Sequence, residues 1–301
     1  MEKEREIIMG QPVFAKVWGE TQQLHPTRKE LFLKLESLLQ LPVITYFTSF
    51  RYPVSVSDDD MDMLMAILQE TDLSRGLALL ISSPGGDGLA AERILNACRT
   101  CSNTGDYIAI VAGKAKSAAT MICFGASKIM MGPSSELGPV DPQIIRSEDG
   151  NTKRFSVFNY INSYEKLFNR AVKVKGNLEP FLQQLARYDE REIEELRSAA
   201  SLSEDISVRA LMTGMLKGKT KTKIKKNIEV FLNPSAGTKS HGRPIYFDEA
   251  SKCGLKIEKM DVKSEIWNVA YELYVRTDQY VSTKVTKCIE SKEHSFSAAI
   301  T

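Results

Sequence analysis

Two turns in this 301-residue sequence place residues suited to acyl transfer at points where a strand hands over to a helix. The first, Ser83-Pro84-Gly85-Gly86-Asp87-Gly88, follows the apolar run Leu77-Ala78-Leu79-Leu80-Ile81. The second, Gly113-Lys114-Ala115-Lys116-Ser117-Ala118-Ala119-Thr120, follows Tyr107-Ile108-Ala109-Ile110-Val111. Short continuous apolar runs bounded by turn residues read as buried strands. Paired glycines after the first strand leave backbone N–H groups uncovered by side chains, which is how an oxyanion hole is built. After the second strand a lone hydroxyl sits among alanines where a helix begins. Ser117 is therefore the candidate nucleophile: unpaired amides at the helix N-terminus stabilise developing negative charge and set the N–H of Ala118 beside the reacting carbonyl.

A serine hydroxyl needs a base, and an imidazole base needs an orienting acceptor. The chain has three histidines. His25 lies in the polar N-terminal region and His294 near the C-terminus, which leaves His241 as the candidate base in a stretch dense with turn residues. Asp141 is the candidate third member. It lies between Pro139 and Pro142 in the stiff segment from Gly132 to Gln143, where a carboxylate can be fixed against an imidazole; an Asp in that setting also serves as an ordinary turn former.

The elements that must carry these residues follow a repeating βαβ grammar. Strands are expected at 42–47, 77–81, 107–112 and 129–131, with helices at 88–102 and 117–126 between them, so a mainly parallel sheet covered by helices is predicted, with its site at the strands' carboxyl ends. An amphipathic helix carries Leu31, Leu35, Leu38 and Leu39 after Pro26. Another begins at Ser57-Asp58-Asp59-Asp60, where Ser57 or Asp58 caps the helix and the carboxylates complement its dipole; this acidic run is not a metal site. Residues 155–200 read as a helical excursion with Phe181, Leu182 and Leu185 on one face, and helical patterning resumes at 204–216. Helices are also expected at 247–253, ended by Gly254, and around Ile266, Ala270, Leu273 and Tyr274. The domain reading is a helical extension over 1–40, a catalytic domain over 41–282 and a flexible tail over 283–301.

Composition narrows the class. A net charge of +2 supplies no global field for nucleic acid. The lysine-rich run from Lys217 to Lys226 lacks interleaved aromatics and reads as a solvated face. No apolar stretch approaches the roughly 20 residues needed to cross a bilayer, and the N-terminus lacks the plan of a signal peptide, so a cytoplasmic protein without a transmembrane segment is expected. The five cysteines read as reduced core thiols, and Cys98-Arg99-Thr100-Cys101 has no second pair to complete a zinc site. No cofactor and no metal are expected.

The combination of Ser83-Pro84-Gly85-Gly86, Ala115-Lys116-Ser117-Ala118-Ala119-Thr120 and Glu136-Leu137-Gly138-Pro139-Val140-Asp141-Pro142-Gln143 resembles the serine dehydrogenase proteinase family, distant relatives of the Clp protease within the Clp and crotonase superfamily. The resemblance covers roughly residues 40–260. It implies an α/β, Clp/crotonase-like core of repeated ββα and βαβ units, a serine endopeptidase activity on peptides or unfolded proteins, and a triad in the order Ser117, Asp141, His241. It also implies that Gly86, shaped by Gly85, supplies one oxyanion donor and Ala118 the other. The Clp protease carries its histidine in the loop soon after the serine, where this chain has Asp141. Archaeal relatives commonly begin with a membrane-spanning helix, which is not carried over. The superfamily's habits imply a homo-oligomer and leave room for a regulatory or unfoldase partner.

Three other readings fit the same residues. A lysine is the base in a Ser/Lys dyad: Lys114 or Lys166 approaches the serine through the fold, whereas Lys116 adjoins it and is poorly placed to reach round to its hydroxyl. A crotonase-like enzyme uses the same oxyanion turn on an acyl-CoA thioester, although a serine in the nucleophile position argues against it. A catalytically silent assembly subunit keeps the fold without the chemistry.

Overall fold

The apolar runs become the centre of a seven-stranded sheet. The computed structural model describes residues 13–19, 24–148, 151–233 and 242–300. Helices α1 (Val13–Gly19) and α2 (Pro26–Leu39) precede β1 (Val43–Thr48), α3 (Asp60–Glu70), β2 (Ala78–Ser82) and α4 (Gly88–Cys101). Then come β3 (Ile108–Val111), the two-residue β4 (Lys114–Ala115), α5 (Ala118–Gly125), β5 (Lys128–Met131) and the two-residue β6 (Glu136–Leu137). A hairpin of β7 (Gln143–Glu148) and β8 (Asn151–Ser156) leads into α6 (Val157–Lys173), α7 (Glu179–Leu185) and α8 (Glu190–Thr213). Helices α9 (Lys221–Asn227), α10 (Glu229–Leu232) and α11 (Phe247–Lys252) are followed by β9 (Ile257–Lys259), α12 (Glu265–Thr283), β10 (Val285–Glu290) and β11 (Ser295–Ala299).

The sheet order is β11-β10-β1-β2-β3-β5-β9. Strands β1, β2, β3, β5 and β9 run parallel, as the βαβ grammar requires, and β10 and β11 add antiparallel at one edge. Successive side chains of a strand point to opposite faces, so each parallel strand feeds two cores. Ile44, Tyr46, Leu79, Ile81, Ala109, Val111 and Ile129 face α3, α4 and α5. Val43, Phe47, Ala78, Leu80, Ile108, Ile110 and Met130 face Phe32 and Leu35 of α2 and Trp267, Ala270 and Leu273 of α12. Helix α5 is buried along all eight of its residues, which is what a helix apolar on every side demands.

Several expectations are corrected. The C-terminal residues are no flexible tail: β10 pairs with β1, from Thr45 against Glu290 to Thr48 against Lys287, and β11 pairs with β10. The β7–β8 hairpin occupies the end of the expected irregular segment and the start of the expected helical excursion. Leu182 of the excursion is exposed, with Phe181 and Leu185 only half-buried. Neither Ser57 nor Asp58 caps α3 through its side chain. The cap position belongs to Asp59, which makes no side-chain cap bond, while Asp60 turns into the core. The lysines Lys221 and Lys225 pair on the surface with Asp205 and Glu204, as a solvated face does. All five cysteines are free thiols, and among the described residues no cluster of His, Cys, Asp or Glu is arranged to hold a metal ion. No helix of the described residues is long and apolar enough to cross a membrane.

Beyond the carboxyl ends of the parallel strands, the chain forms a second, smaller layer. Ser83 bridges Ala115, Ala115 pairs with Leu137, and Leu137 bridges Ile245. Four segments distant in sequence are thereby laid side by side at strand spacing, about 4.8 Å from one to the next.

Candidate active site

Each segment of that row leads directly to a residue singled out by the sequence. Gly85 and Gly86 come two and three residues after Ser83, Ser117 two after Ala115, Asp141 four after Leu137, and His241 four before Ile245. The row is tied by backbone bonds: Ser83 N–H to the Lys114 carbonyl at 3.0 Å, Lys116 N–H to the Ser83 carbonyl at 3.0 Å, and Leu137 and Ile245 exchanging both N–H groups at 3.0 Å.

Ser117 has φ 50° and ψ −120°. The other described non-glycine residue with positive φ is Gln40, in the ordinary left-handed conformation of a helix C-cap at φ 57° and ψ 29°. Ser117 has no such excuse. Its conformation costs on the order of 1–3 kcal/mol and persists only where the surroundings impose it. They do: Ala119 N–H and Met121 N–H are already bonded to the carbonyls of Lys116 and Ser117, at 2.9 and 3.2 Å. The Thr120 hydroxyl donates to the Ala115 carbonyl at 2.7 Å and accepts the Gly138 N–H at 3.1 Å. A sharp strand-to-helix turn that lifts a hydroxyl out of the layer is the geometry of a nucleophile elbow. Ser117 is half-buried, and among the described residues its side chain has no hydrogen-bond partner.

The glycine turn packs on this elbow. A Cβ on Gly85, whose φ is 97°, would lie 2.6 Å from both the Lys116 carbonyl oxygen and Ser117 Cβ, and 3.0 Å from the Ala118 nitrogen. Only glycine admits this approach. Asp87 then caps α4, its carboxylate accepting the N–H groups of Leu89 and Ala90 at 2.7 and 3.3 Å. Among the described residues neither the Gly86 N–H nor the Ala118 N–H has an acceptor. Backbone donors left free in such turns are the groups that can hold an oxyanion.

Asp141 is buried, 1% exposed. Its loop is bolted down on both sides: Val140 N–H donates to the Phe231 carbonyl at 2.9 Å, the Ser203 hydroxyl donates to the Val140 carbonyl, and Val157 N–H donates to the Pro142 carbonyl at 3.0 Å. The Thr120–Gly138 bonds bring the start of this loop to the base of the elbow. His241 lies outside the described residues. Ile245, which is described, exchanges backbone bonds with Leu137 in that layer.

Two of the candidate lysines, Lys116 and Lys114, are otherwise engaged. Lys116 Nζ is bonded to the Leu137 carbonyl at 3.2 Å and paired with Glu136 at 2.9 Å. Burial holds its pKa below the ordinary lysine value, with Glu136 opposing the shift. Lys114 Nζ stands 5.6 Å from the centre of the Phe50 ring. Lys166 lines a groove on α6 with Asn169, Arg170 and Phe181. Burial pushes Cys98 up to about 12 and Cys253 to about 11, so neither holds appreciable thiolate at neutral pH. The sequence did not reveal the pairing of Glu136 with Lys116 or the bracing role of Thr120. The small polar residue three positions into a helix that follows a candidate nucleophile was the available signal for the latter.

Residues 37–153 match the family of ClpP-like SDH-type serine proteinases, the family the motifs resemble. An uncharacterized protein of Methanocaldococcus jannaschii is 29% identical over 130 residues, which is 40% of this chain and 45% of that protein, so the chain spans under half the length of this relative. Two solved structures of the 1510-N membrane-bound stomatin-specific protease are similar. One is a serine-to-alanine variant, 16% identical, with a TM-score of 0.30 over 69% of this chain and 93% of its own. The other is a lysine-to-alanine variant in complex with a substrate peptide, 16% identical, with a TM-score of 0.28 over 74% of this chain and 94% of its own.

Proposed function

We propose, from the match of residues 37–153 to the ClpP-like SDH-type serine proteinases, that this chain is a serine endopeptidase acting on peptides or unfolded proteins. Ser117 is the nucleophile, His241 the base, Asp141 its orienting carboxylate, and the N–H groups of Gly86 and Ala118 the oxyanion donors. The observation that carries the reading is the positive-φ elbow of Ser117 seated against the Gly85 backbone.

In this mechanism His241 takes the hydroxyl proton as Ser117 Oγ bonds to the peptide carbonyl carbon. The carbonyl oxygen becomes an oxyanion between the Gly86 and Ala118 amides, and the C–N bond breaks as His241 returns the proton to the departing amine. Water then attacks the acyl-enzyme, with His241 again taking and returning a proton, which frees the carboxylic product and Ser117. Exposed apolar side chains on the helical excursion, Phe168 at 48%, Val172 at 69% and Leu182 at 48%, favour the expected homo-oligomer.

The test is incubation of the full chain with an unfolded protein and sequencing of newly formed N-termini by mass spectrometry. Cleavage lost in both Ser117→Ala and His241→Ala supports the triad. Cleavage retained in His241→Ala and lost with a lysine variant moves the base to a lysine. Cleavage retained in Ser117→Ala overturns the proposal.

A further inference from the structure

The oxyanion turn leans on a segment that the mechanism leaves unused. Val56 N–H donates to the Gly85 carbonyl at 2.8 Å and Asp87 N–H donates to the Val56 carbonyl at 2.9 Å, which makes Val56 a one-residue parallel strand beside Gly86. A Cβ on Gly86, whose φ is 153°, would lie 2.4 Å from the Val56 oxygen, 2.5 Å from its nitrogen and 2.7 Å from Ser55 Cβ. Backbone meets backbone there with no side chain between. The turn is thus wedged between Ser117 on one side and residues 55–56 on the other.

What fixes residues 55–57 is a buried ionic cluster built from three elements. Lys287, from β10, is 7% exposed, while Tyr46 of β1 and Asp60 of α3 are fully buried. Lys287 Nζ donates to the Ser55 carbonyl at 2.9 Å, to Ser57 Oγ at 2.9 Å and to Asp60 Oδ1. An ammonium has three protons to give, and each has an acceptor. The second carboxylate oxygen of Asp60 accepts from the Tyr46 hydroxyl and from Ser57 N–H, the latter at 2.9 Å. Charges withdrawn from water must be matched, so residues 55–57 cannot shift without stranding one of them.

We infer that Lys287 is a positioning residue for the oxyanion donor. It anchors residues 55–57 to β10, and Val56 passes that constraint to Gly85, Gly86 and Asp87, aiming the Gly86 N–H at the site where the oxyanion forms. Lys287 itself touches neither substrate nor the reacting atoms. The catalytic consequence rests on the serine peptidase reading; the mechanical coupling does not.

Amide hydrogen exchange on the full chain, read on fragments spanning 54–58 and 84–88, tests the coupling without requiring activity. Lys287→Met is expected to speed exchange at the Val56 and Asp87 amides by about tenfold or more, with β2 and β3 unchanged. The double variant Asp60→Asn/Lys287→Met strands no charge, and the same local acceleration in it separates lost anchoring from a damaged core. Ser57→Ala, which removes one of the three acceptors, should give a smaller acceleration at the same amides. Where the wild type cleaves peptide, Lys287→Met should lower kcat by about tenfold with KM little changed, and Lys287→Arg should recover part of it. Unchanged exchange at Val56 and Asp87 in both Lys287 variants overturns the inference, as does acceleration spread evenly over the sheet in every variant, which marks a folding role only. A wild type that cleaves no peptide overturns the peptidase reading alone, because the exchange result still decides the coupling.

Discussion

Strands β2 and β3 bring Leu79, Leu80, Ile81, Ile108, Ile110 and Val111 into the interior and no charge, whereas β10, at the antiparallel edge of the same sheet, brings Lys287 and Glu290. The parallel centre ends in turns whose proposed working groups are backbone N–H groups and one hydroxyl. The edge works through side-chain charge, and each of its two charges is matched inside the protein. Glu290 takes a bidentate grip from Arg28 at 2.7 and 2.5 Å, both side chains being fully buried, and also accepts from Ser295 Oγ at 2.7 Å. Arg28 also stacks over Tyr280, 4.5 Å from the ring centre. The pair locks α2 to the sheet edge, while Lys287 locks residues 55–57. The difference teaches that a site made from backbone needs bracing from elsewhere, since a turn of bare glycines cannot hold its own direction.

The contrast breaks first at the edge. Arg28→Met strands the Glu290 carboxylate and should lower the unfolding free energy by about 3–5 kcal/mol, seen as a lower urea midpoint at constant slope; Arg28→Met combined with Glu290→Gln should recover most of it. Full stability in the single variant would show that the edge charges brace nothing. At the centre, Gly85→Ala drives a methyl group against Ser117 Cβ and the Lys116 carbonyl. Peptide cleavage should fall by about 10²–10³-fold, the loss expected for a disrupted oxyanion site, while the far-ultraviolet circular dichroism stays native. Thr120→Val removes the hydroxyl that joins Ala115 to Gly138 and leaves a buried N–H unmatched. A cost of about 1–3 kcal/mol in thermal or urea unfolding is expected, with slower reaction at Ser117.

The smallest effect concerns the α12 face. Asp278 lines a cavity of about 230 Å³ with Arg51, Tyr274 and Gln279, and burial raises its pKa above the ordinary aspartate value, with Arg51 and Lys114 opposing. A carboxyl whose folded pKa is raised binds more protons in the native state between the two values, so stability falls as pH rises through that window and stays reduced above it. Asp278→Asn lacks this penalty. The variant should be the more stable at neutral pH, with the gain vanishing below the unfolded aspartate pKa. A loss at neutral pH would mean that the carboxylate is instead held by its cationic neighbours.

Much of the parallel centre was legible because uninterrupted apolar runs ending in Gly, Pro and Ser have few other uses. Leu77–Ile81 and Tyr107–Val111 became strands, and the turns after them became the two sides of the candidate site. The edge was not legible. Val285-Thr286-Lys287-Cys288-Ile289-Glu290 alternates poorly, since every one of these residues is buried and the charged ones are matched by partners more than 200 positions away. Asp60 misled for the same reason. An acidic run before a helix is ordinarily solvated, and only the arrival of Lys287 and Tyr46 in space turns its third carboxylate inward. The segments carrying Asp141 and His241 were identified by residue type and motif, but the bridge of Leu137 to Ile245 joins residues 108 positions apart, which no local pattern encodes.

Reaction of the full chain with a fluorophosphonate, with the adduct mapped by mass spectrometry, tests most directly whether the elbow and the glycine turn make an activated serine. One adduct on Ser117, absent from Ser117→Ala and much slower to form in Gly85→Ala, is the expected result. An adduct on another residue, or none on a folded chain, would contradict it.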